Sequence, residues 1–129
     1  LHEPDLSMIN TEEMLDWLKG EREKGSIRAW GLAGIRELVE PFLQLEYQLC
    51  SVIQTEDSVD THEADFVINA GRSLQFTYGY ISSAQLSRQN MSVEKIMRSA
   101  LERNNAGSIL VSTQSPQHLY EISKMVGSQ

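Results

Sequence analysis

Residues 12–34 read EEMLDWLKGEREKGSIRAWGLAG, a polar, helix-forming run that passes into a short apolar segment. The apolar side chains of the first part recur on one helix face, and Asn10 with Glu13 has the spacing of an N-cap and its capping-box partner. Gly25, after the last helical lysine, is typical of a helix end. The segment 26–34 then predicts a strand buried on both faces of a sheet. The stretch is therefore one helix–strand unit.

The same alternation continues on both sides of this unit. Before it, residues 1–5 (LHEPD) are typical of the end of a strand that leads into a polar loop. After it, further strands are predicted at 47–53, 74–81 and 108–111. Helices are predicted at 35–40, where Pro41 disfavours continuation, at 61–70, between Ser92 and Asn104, and from Pro116 onward with Leu119, Ile122 and Val126 on the inner face.

Strict alternation with short connections predicts parallel strands joined by helical crossovers, and therefore an α/β protein. Two architectures satisfy this pattern, an open doubly wound sheet and a β/α barrel. The sequence contains no Gly-rich phosphate loop of the dinucleotide-binding or P-loop kind, which weakens the open-sheet alternative. At 129 residues the chain is most simply one domain, 1–129.

The charge balance argues against two classes of partner. The chain carries 18 acidic residues against 11 Lys and Arg, for a formal net charge of −7. Nucleic acids and anionic membrane surfaces are bound by neutralising phosphates with basic side chains, so we expect neither as a partner. No apolar run approaches the ~20 residues that a membrane-spanning helix needs.

Cys50 is the only cysteine of the sequence, which excludes an internal disulfide bond. A single thiol fits a reducing compartment, and we expect a cytoplasmic protein. Because Cys50 lies in the apolar run YQLCSVI, a buried, unreactive thiol is favoured over a nucleophile.

Five segments, in order along nearly the whole chain, resemble the aldo/keto reductases, a family of NADP(H)-dependent β/α barrels. The segments are LHEPD (1–5), EEMLDWLKGEREKGSIRAWGLAG (12–34), YQLCSVIQ (47–54), FTYGYISSA (76–84) and ILVSTQSPQHLYEI (109–122). They resemble, in turn, the end of the family's fourth strand, the next helix and strand, the sixth strand, the seventh strand, and the eighth strand with the cofactor-binding loop and helix. The resemblance implies a partial TIM-type barrel, the C-terminal half, with parallel strands and flanking helices.

The resemblance implies an incomplete catalytic site. His2 matches the family histidine that orients the substrate carbonyl at the mouth of the barrel. The family's catalytic aspartate, tyrosine and lysine have no match in this chain. The expected function is therefore an oxidoreductase fragment that contributes part of an NADP(H) site for a small carbonyl substrate and is not competent alone.

The resemblance also assigns cofactor contacts. Gln48 matches a glutamine that hydrogen-bonds the nicotinamide amide, and Tyr80 matches the aromatic residue that stacks on the nicotinamide. Ser112 and Thr113 match phosphate-contacting residues, and Glu121 matches an acidic residue that contacts the adenine.

Several positions depart from the family pattern. The Ser-Asn pair after the fifth strand is Ala33-Gly34 here, and Val111 stands where the family has a basic residue. His118 replaces the arginine that grips the 2′-phosphate, and Ile122 replaces an asparagine. An imidazole does not reproduce the bidentate guanidinium, so we expect weak or lost NADP(H) binding.

Alternatives remain open for each candidate residue. Tyr80 could be a core residue, Gln48 could satisfy a strand end, and His2 could be a terminal residue without chemistry. The repeated His-Glu-x-Asp spacing, at residues 2–5 and 62–65, could supply metal ligands, although acids are common in this chain and we expect no metal.

The expected half-barrel fold also bears on which partner and which function we expect. It leaves two sheet edges unpaired, so we expect a homo-oligomer or a complementary N-terminal half as partner. The alternative function, from a different class, is a non-catalytic interaction or regulatory module that has kept the barrel scaffold.

Overall fold

The computed structural model describes residues 1–3, 12–44, 51–83 and 87–127. These residues form an alternating series of helices and parallel strands. In chain order the elements are α1 (Glu12–Glu23), β1 (Gly31–Ala33), α2 (Arg36–Gln44), β2 (Val52–Glu56), α3 (Asp65–Asn69), β3 (Phe76–Tyr78), α4 (Ser87–Asn90), α5 (Val93–Arg103), β4 (Ser108–Leu110) and α6 (Pro116–Gly127).

The four strands form one sheet in the order β1-β2-β3-β4, and every neighbouring pair is parallel. Residues 1–3 extend the sheet beyond β1, where Ala33 N donates to Leu1 O at 2.7 Å and Glu3 N donates to Ala33 O at 2.6 Å. His2 thus forms a parallel bridge with Ala33, as the strand-end prediction for this segment requires. The predicted α/β class with parallel strands and flanking helices is confirmed.

The two faces of the sheet differ in burial. Leu32, Ile53 and Thr77 are buried, and they belong to the face that packs against the helices. On the other face, Phe76 and Leu110 are 37% and 41% exposed. The prediction that 26–34 is a strand buried on both sides is therefore wrong, because β1 is short and only its central residue is buried.

Two groups of apolar side chains make up the core. The larger group joins α1, α2 and α3 to β1 and β2, and its buried members are Leu18, Leu32, Val39, Phe42, Ile53, Ala64, Phe66, Val67 and Leu74. The smaller group joins α5 to the end of β3 through Tyr80, Ile96 and Ala100. Each large apolar side chain buried in this way contributes about 1.5–3 kcal/mol.

Helix α2 continues through Pro41, from Arg36 to Gln44, so the prediction that it ends at Glu40 is wrong. Proline removes one backbone hydrogen bond from the helix. Val39 and Phe42 lie on either side of it and are fully buried in the larger core group. The burial of these two side chains outweighs the missing bond.

Other local predictions have mixed outcomes. Ser92 caps α5 by accepting a hydrogen bond from Lys95 N at 3.3 Å, and Pro116 opens α6, as predicted. The predicted inner face of α6 is wrong, since Leu119 and Val126 are 57% and 49% exposed. The helix predicted over 61–70 is confined to Asp65–Asn69, and the strand predicted over 74–81 is shortened to β3. The strand predicted over 47–53 overlaps β2 at its end, and residues 47–50 lie outside the described ranges.

None of the helices that the structure describes is both long enough and apolar enough to cross a membrane.

Candidate functional site

A cleft of about 610 Å³ opens where β3 and β4 end, and we call it the strand-end cleft. The carboxyl ends of parallel strands share one edge of a sheet, and ligand sites of α/β proteins gather there. The cleft mixes apolar side chains with hydroxyl and amide groups. It is lined by Gln54, Tyr78, Gly79, Tyr80, Ile81, Ser82, Met97, Ile109, Leu110, Val111 and Ser112.

A second cleft, of about 230 Å³, adjoins the first along helix α6, and we call it the α6 cleft. Ile81, Val111 and Ser112 line both clefts, so the two clefts adjoin, and together we call them the groove. The α6 cleft is lined by Ile81, Val93, Val111, Ser112, Thr113, His118, Glu121, Ile122 and Met125.

The loop between β4 and α6 is held by short-range hydrogen bonds. Ser115 N donates to Thr113 Oγ1 at 3.1 Å, and His118 N donates to Ser115 Oγ at 3.4 Å, which makes Ser115 the N-cap of α6. One turn further along, Gln117 Nε2 donates to Glu121 Oε1 at 2.9 Å. These contacts hold the Thr113 hydroxyl and the Glu121 carboxylate in place along the α6 cleft.

Asp57 is the centre of a buried polar network directly after β2. Its side chain is fully buried, and it accepts four hydrogen bonds. Oδ1 accepts from Ala64 N and Arg103 Nη2, both at 3.1 Å. Oδ2 accepts from the Tyr80 hydroxyl at 2.6 Å and from Arg103 Nε at 2.7 Å. Arg103 Nη2 also donates to Asp65 Oδ1 at 2.7 Å.

The protonation of two members follows from this environment. Burial, and then the hydrogen bond to Asp57, raises the pKa of the Tyr80 hydroxyl well above its usual value. Burial disfavours the charge on Arg103, but its hydrogen bonds with Asp57 and Asp65 outweigh that effect and raise its pKa. The network therefore holds a charged guanidinium against the carboxyl groups of Asp57 and Asp65, and a neutral phenol against that of Asp57.

On the sheet face that carries Phe76 and Leu110, Glu56 accepts a hydrogen bond from the hydroxyl of Ser83. Gly79 has a φ of +97°, and a Cβ there would lie 2.9 Å from Glu56 Cγ, so glycine is required at this turn. Tyr78 pairs with Glu56 across the sheet. Burial, followed by the charges of Glu56 and Glu3, raises the pKa of the Tyr78 hydroxyl.

The structure brings together some of the predicted site residues and separates others. Ser112, Thr113 and Glu121 line the α6 cleft. Tyr80 borders the strand-end cleft but is only 2% exposed. His2 is exposed and lies beyond β1, at the sheet edge opposite β4. Gln48 lies outside the described residues.

Sequence reasoning missed Asp57 and Arg103. A charged residue directly after a strand, as Asp57 is after β2, was an available signal for the first of them. Arg103 looks like an ordinary basic residue in the last turn of α5, so nothing local reveals its partner 46 residues away.

The metal alternative has little structural support among the residues described. No three His, Cys, Asp or Glu side chains in that part of the chain converge on a point that could hold a metal ion. In the 62–65 motif, Asp65 pairs with Arg103, and Asp65 N donates to His62 O at 3.0 Å. Residues 4 and 5 of the other motif lie outside the described ranges.

Comparison with known proteins adds no relative: no protein-family model, curated protein or solved structure matches the chain. The resemblance to the aldo/keto reductases therefore rests on the sequence segments alone. The parallel sheet is consistent with part of a β/α barrel and equally with part of an open α/β sheet.

Proposed function

We propose that this chain is an aldo/keto-reductase-like half barrel that contributes part of an NADP(H) site for reduction of a small carbonyl substrate. The supporting observation is the groove formed by the two adjoining clefts at the ends of β3 and β4. Ser112, Thr113 and Glu121, which the resemblance assigns to the cofactor, line its α6 part together. Parallel strands and the position of the groove at their carboxyl ends agree with this proposal.

The groove suits the phosphate and adenosine end of a dinucleotide better than the nicotinamide end. The hydroxyl group of Ser112 can donate to a phosphate oxygen, whereas the Thr113 hydroxyl already donates to Ser115 O at 3.4 Å. The apolar side chains of Ile122 and Met125 give a surface for a purine ring. Tyr80 offers less, since its hydroxyl is bonded to Asp57 and its ring is nearly all buried. Binding is accordingly expected to be weak.

The bound cofactor would supply the hydride, and this chain's residues would hold and orient it. Ser112 and Thr113 would lie against the phosphates, and His2 would hydrogen-bond the substrate carbonyl. The proton donor would come from outside this chain, because the family's tyrosine and lysine have no match here. The complementary N-terminal half, or a second copy that rearranges the sheet, is the proposed partner, and the cytoplasm the proposed compartment.

Calorimetric titration of the purified chain with NADPH tests the proposed site. We expect binding in the micromolar range, and an absence of heat up to millimolar NADPH would end the proposal. Ser112→Ala removes a hydroxyl from the groove and should weaken binding about fivefold, equivalent to about 1 kcal/mol. Ser123→Ala is the matched control, since Ser123 lies on α6 and its hydroxyl donates to Tyr120 O at 2.8 Å.

One observation favours the second candidate, a non-catalytic interaction module. The sheet face opposite the main core carries the partly exposed apolar side chains Phe76 and Leu110. Such a face can receive another chain. Size-exclusion chromatography with light scattering should then show an oligomer. A stable monomer at high dilution that binds no hydrophobic dye would argue against association.

A further inference from the structure

The sheet face that carries Phe76 and Leu110, which we call the open face, has an uneven charge. Side chains at paired positions of neighbouring strands share a face. The described strand residues on the open face are Gly31, Ala33, Val52, Gln54, Glu56, Phe76, Tyr78, Ser108 and Leu110. Glu56 has the only carboxylate among them, and none of them is Lys or Arg. The Leu1 ammonium is bound to Gly31 O at 2.9 Å, at the amino end of β1.

His2 belongs to the same face. It forms a parallel bridge with Ala33, and Ala33 pairs with Gln54 on the next strand. Gln54 in turn lines the strand-end cleft. Ala33 contributes only a methyl group to this row, so no large side chain separates His2 from Gln54 there. A substrate that extends from His2 to the groove therefore lies on the open face.

Glu56 lies directly beside the strand-end cleft. It pairs with Tyr78, and a Cβ on Gly79 would lie 2.9 Å from its Cγ and 3.2 Å from its Oε1. Both Tyr78 and Gly79 line the cleft. The Ser83 hydroxyl donates to Glu56 Oε1 and holds the carboxylate against this turn. Burial, and then the charges of Glu56 and Glu3, raises the pKa of the Tyr78 hydroxyl, so negative charge borders the cleft.

The cleft itself offers neutral polar groups on an apolar wall. Its described lining contains no Lys, Arg, His, Asp or Glu. The Gln54 amide and the neutral Tyr78 hydroxyl can donate hydrogen bonds to a carbonyl oxygen, and Ile109 and Leu110 supply apolar surface. An anion here would lose hydration, find no basic side chain in the lining and meet the charge of Glu56. An uncharged molecule avoids all three costs.

We propose that the strand-end cleft, with the open face beside it, takes an uncharged carbonyl substrate and discriminates against anionic ones such as keto acids and sugar phosphates, and that Glu56 determines this preference. The inference rests on the proposed function, because it takes the ligand to be the carbonyl substrate. It adds the charge of that substrate, which the family resemblance does not specify. It concerns the strand-end cleft, whereas the cofactor phosphates are assigned to the α6 cleft.

The test compares two probes of nearly the same shape, uncharged para-formylbenzamide and anionic para-formylbenzoate. NMR titrations of the intact chain at about pH 8, where histidine side chains are largely neutral, measure both dissociation constants. We expect the amide to bind about tenfold more tightly. Glu56→Gln removes the charge but keeps an acceptor for the Ser83 hydroxyl, so the preference should fall to about threefold or less. Leu110→Lys places an ammonium beside Tyr78, at a position that is 41% exposed, and should reverse the preference.

The matched control is Glu37→Gln, an equal change of charge at an exposed position of α2. This helix packs against the other face of the sheet through Val39, so the parental preference should persist. Circular dichroism checks that each variant keeps the fold.

Each outcome has a distinct meaning. Tighter binding of the benzoate than of the benzamide, or binding of neither, would overturn the inference. A preference that is unchanged in Glu56→Gln would overturn the role of Glu56. NADPH binding together with a preference for the benzoate would overturn this inference and leave the cofactor site standing. Binding of the benzamide without any binding of NADPH would support the charge preference of the cleft and end the cofactor proposal.

Discussion

The guanidinium of Arg103 grips the carboxylate of Asp57 through two hydrogen bonds, Nε to Oδ2 at 2.7 Å and Nη2 to Oδ1 at 3.1 Å. The pair joins the end of α5 to the residue after β2 and is largely removed from solvent, since the Arg103 side chain is 15% exposed and that of Asp57 is fully buried. Breaking such a pair from one side leaves a buried charge without its counterion.

We therefore expect Arg103→Met to lower the free energy of unfolding by about 3–5 kcal/mol. Urea denaturation followed by circular dichroism measures this loss. Arg98→Met on the same helix is the control, because Arg98 pairs with Glu94 on the exposed surface and such pairs contribute below about 1 kcal/mol. Equal losses of unfolding free energy in the two variants would show that the Arg103–Asp57 pair stabilises the fold no more than an exposed ion pair does.

Tyr80 should make the fold sensitive to alkaline pH. The folded-state pKa of its hydroxyl is raised, so above about pH 10 the unfolded chain loses this proton while the folded chain retains it. Stability from this group is therefore fully present below about pH 10 and decreases as the pH rises toward the folded-state pKa. Tyr80→Phe should cost about 1 kcal/mol at neutral pH and should reduce the alkaline slope.

Free energies of unfolding measured from about pH 8 to about pH 11 test this pH dependence. Some slope should remain in Tyr80→Phe, because the pKa of the Tyr78 hydroxyl is raised as well. Tyr120→Phe serves as control, since Tyr120 is exposed on α6. An alkaline slope that is the same in the parent and in Tyr80→Phe would contradict the assignment.

The sequence predicts those features of the fold that depend on neighbouring residues. Helix α5 is an example, because the Ser92 cap and the spacing of Ile96, Met97 and Ala100 are all local signals. The inner face of α6 shows the limit of this approach. Apolar spacing gives a helix a candidate inner face, but whether Leu119 becomes buried depends on what packs against it.

The candidate site likewise combines features that local sequence predicts with features that depend on the tertiary structure. Ser112, Thr113 and Glu121 fall along one cleft because one short loop and one helix carry them. His2 lies at the far edge of the sheet from them, and its distance depends on strand order, which single segments do not specify. The hydroxyl of Tyr80 donates to Asp57, a contact that forms only when β2 and β3 lie side by side.

Pro41 offers a test of how far tertiary packing overrides helix propensity in α2. Pro41→Ala restores a backbone N–H and a residue with a strong helix preference, while Val39 and Phe42 keep their places in the core. Proline is about 3 kcal/mol less favourable than alanine inside a helix. Proline also restricts the unfolded chain, which offsets about 1 kcal/mol of that difference. We expect a gain of about 1–2 kcal/mol in the free energy of unfolding, measured by urea denaturation. A loss would show that proline is suited to this turn.

Two glycines should respond in opposite ways to alanine because their surroundings differ. A Cβ at Gly31 would overlap the carbonyl oxygen of Val52 on the neighbouring strand, and that backbone cannot move without breaking the β1–β2 pairing. Around Gly20, inside α1, no atom other than those of its own residue, its chain neighbours and the adjacent helix backbone lies within 4 Å of the added carbon. Gly20→Ala should stabilise the protein by about 0.5–1 kcal/mol, whereas Gly31→Ala should cost more than about 3 kcal/mol. Thermal unfolding compares the two variants, and an unchanged midpoint in Gly31→Ala would contradict the close approach of β1 and β2.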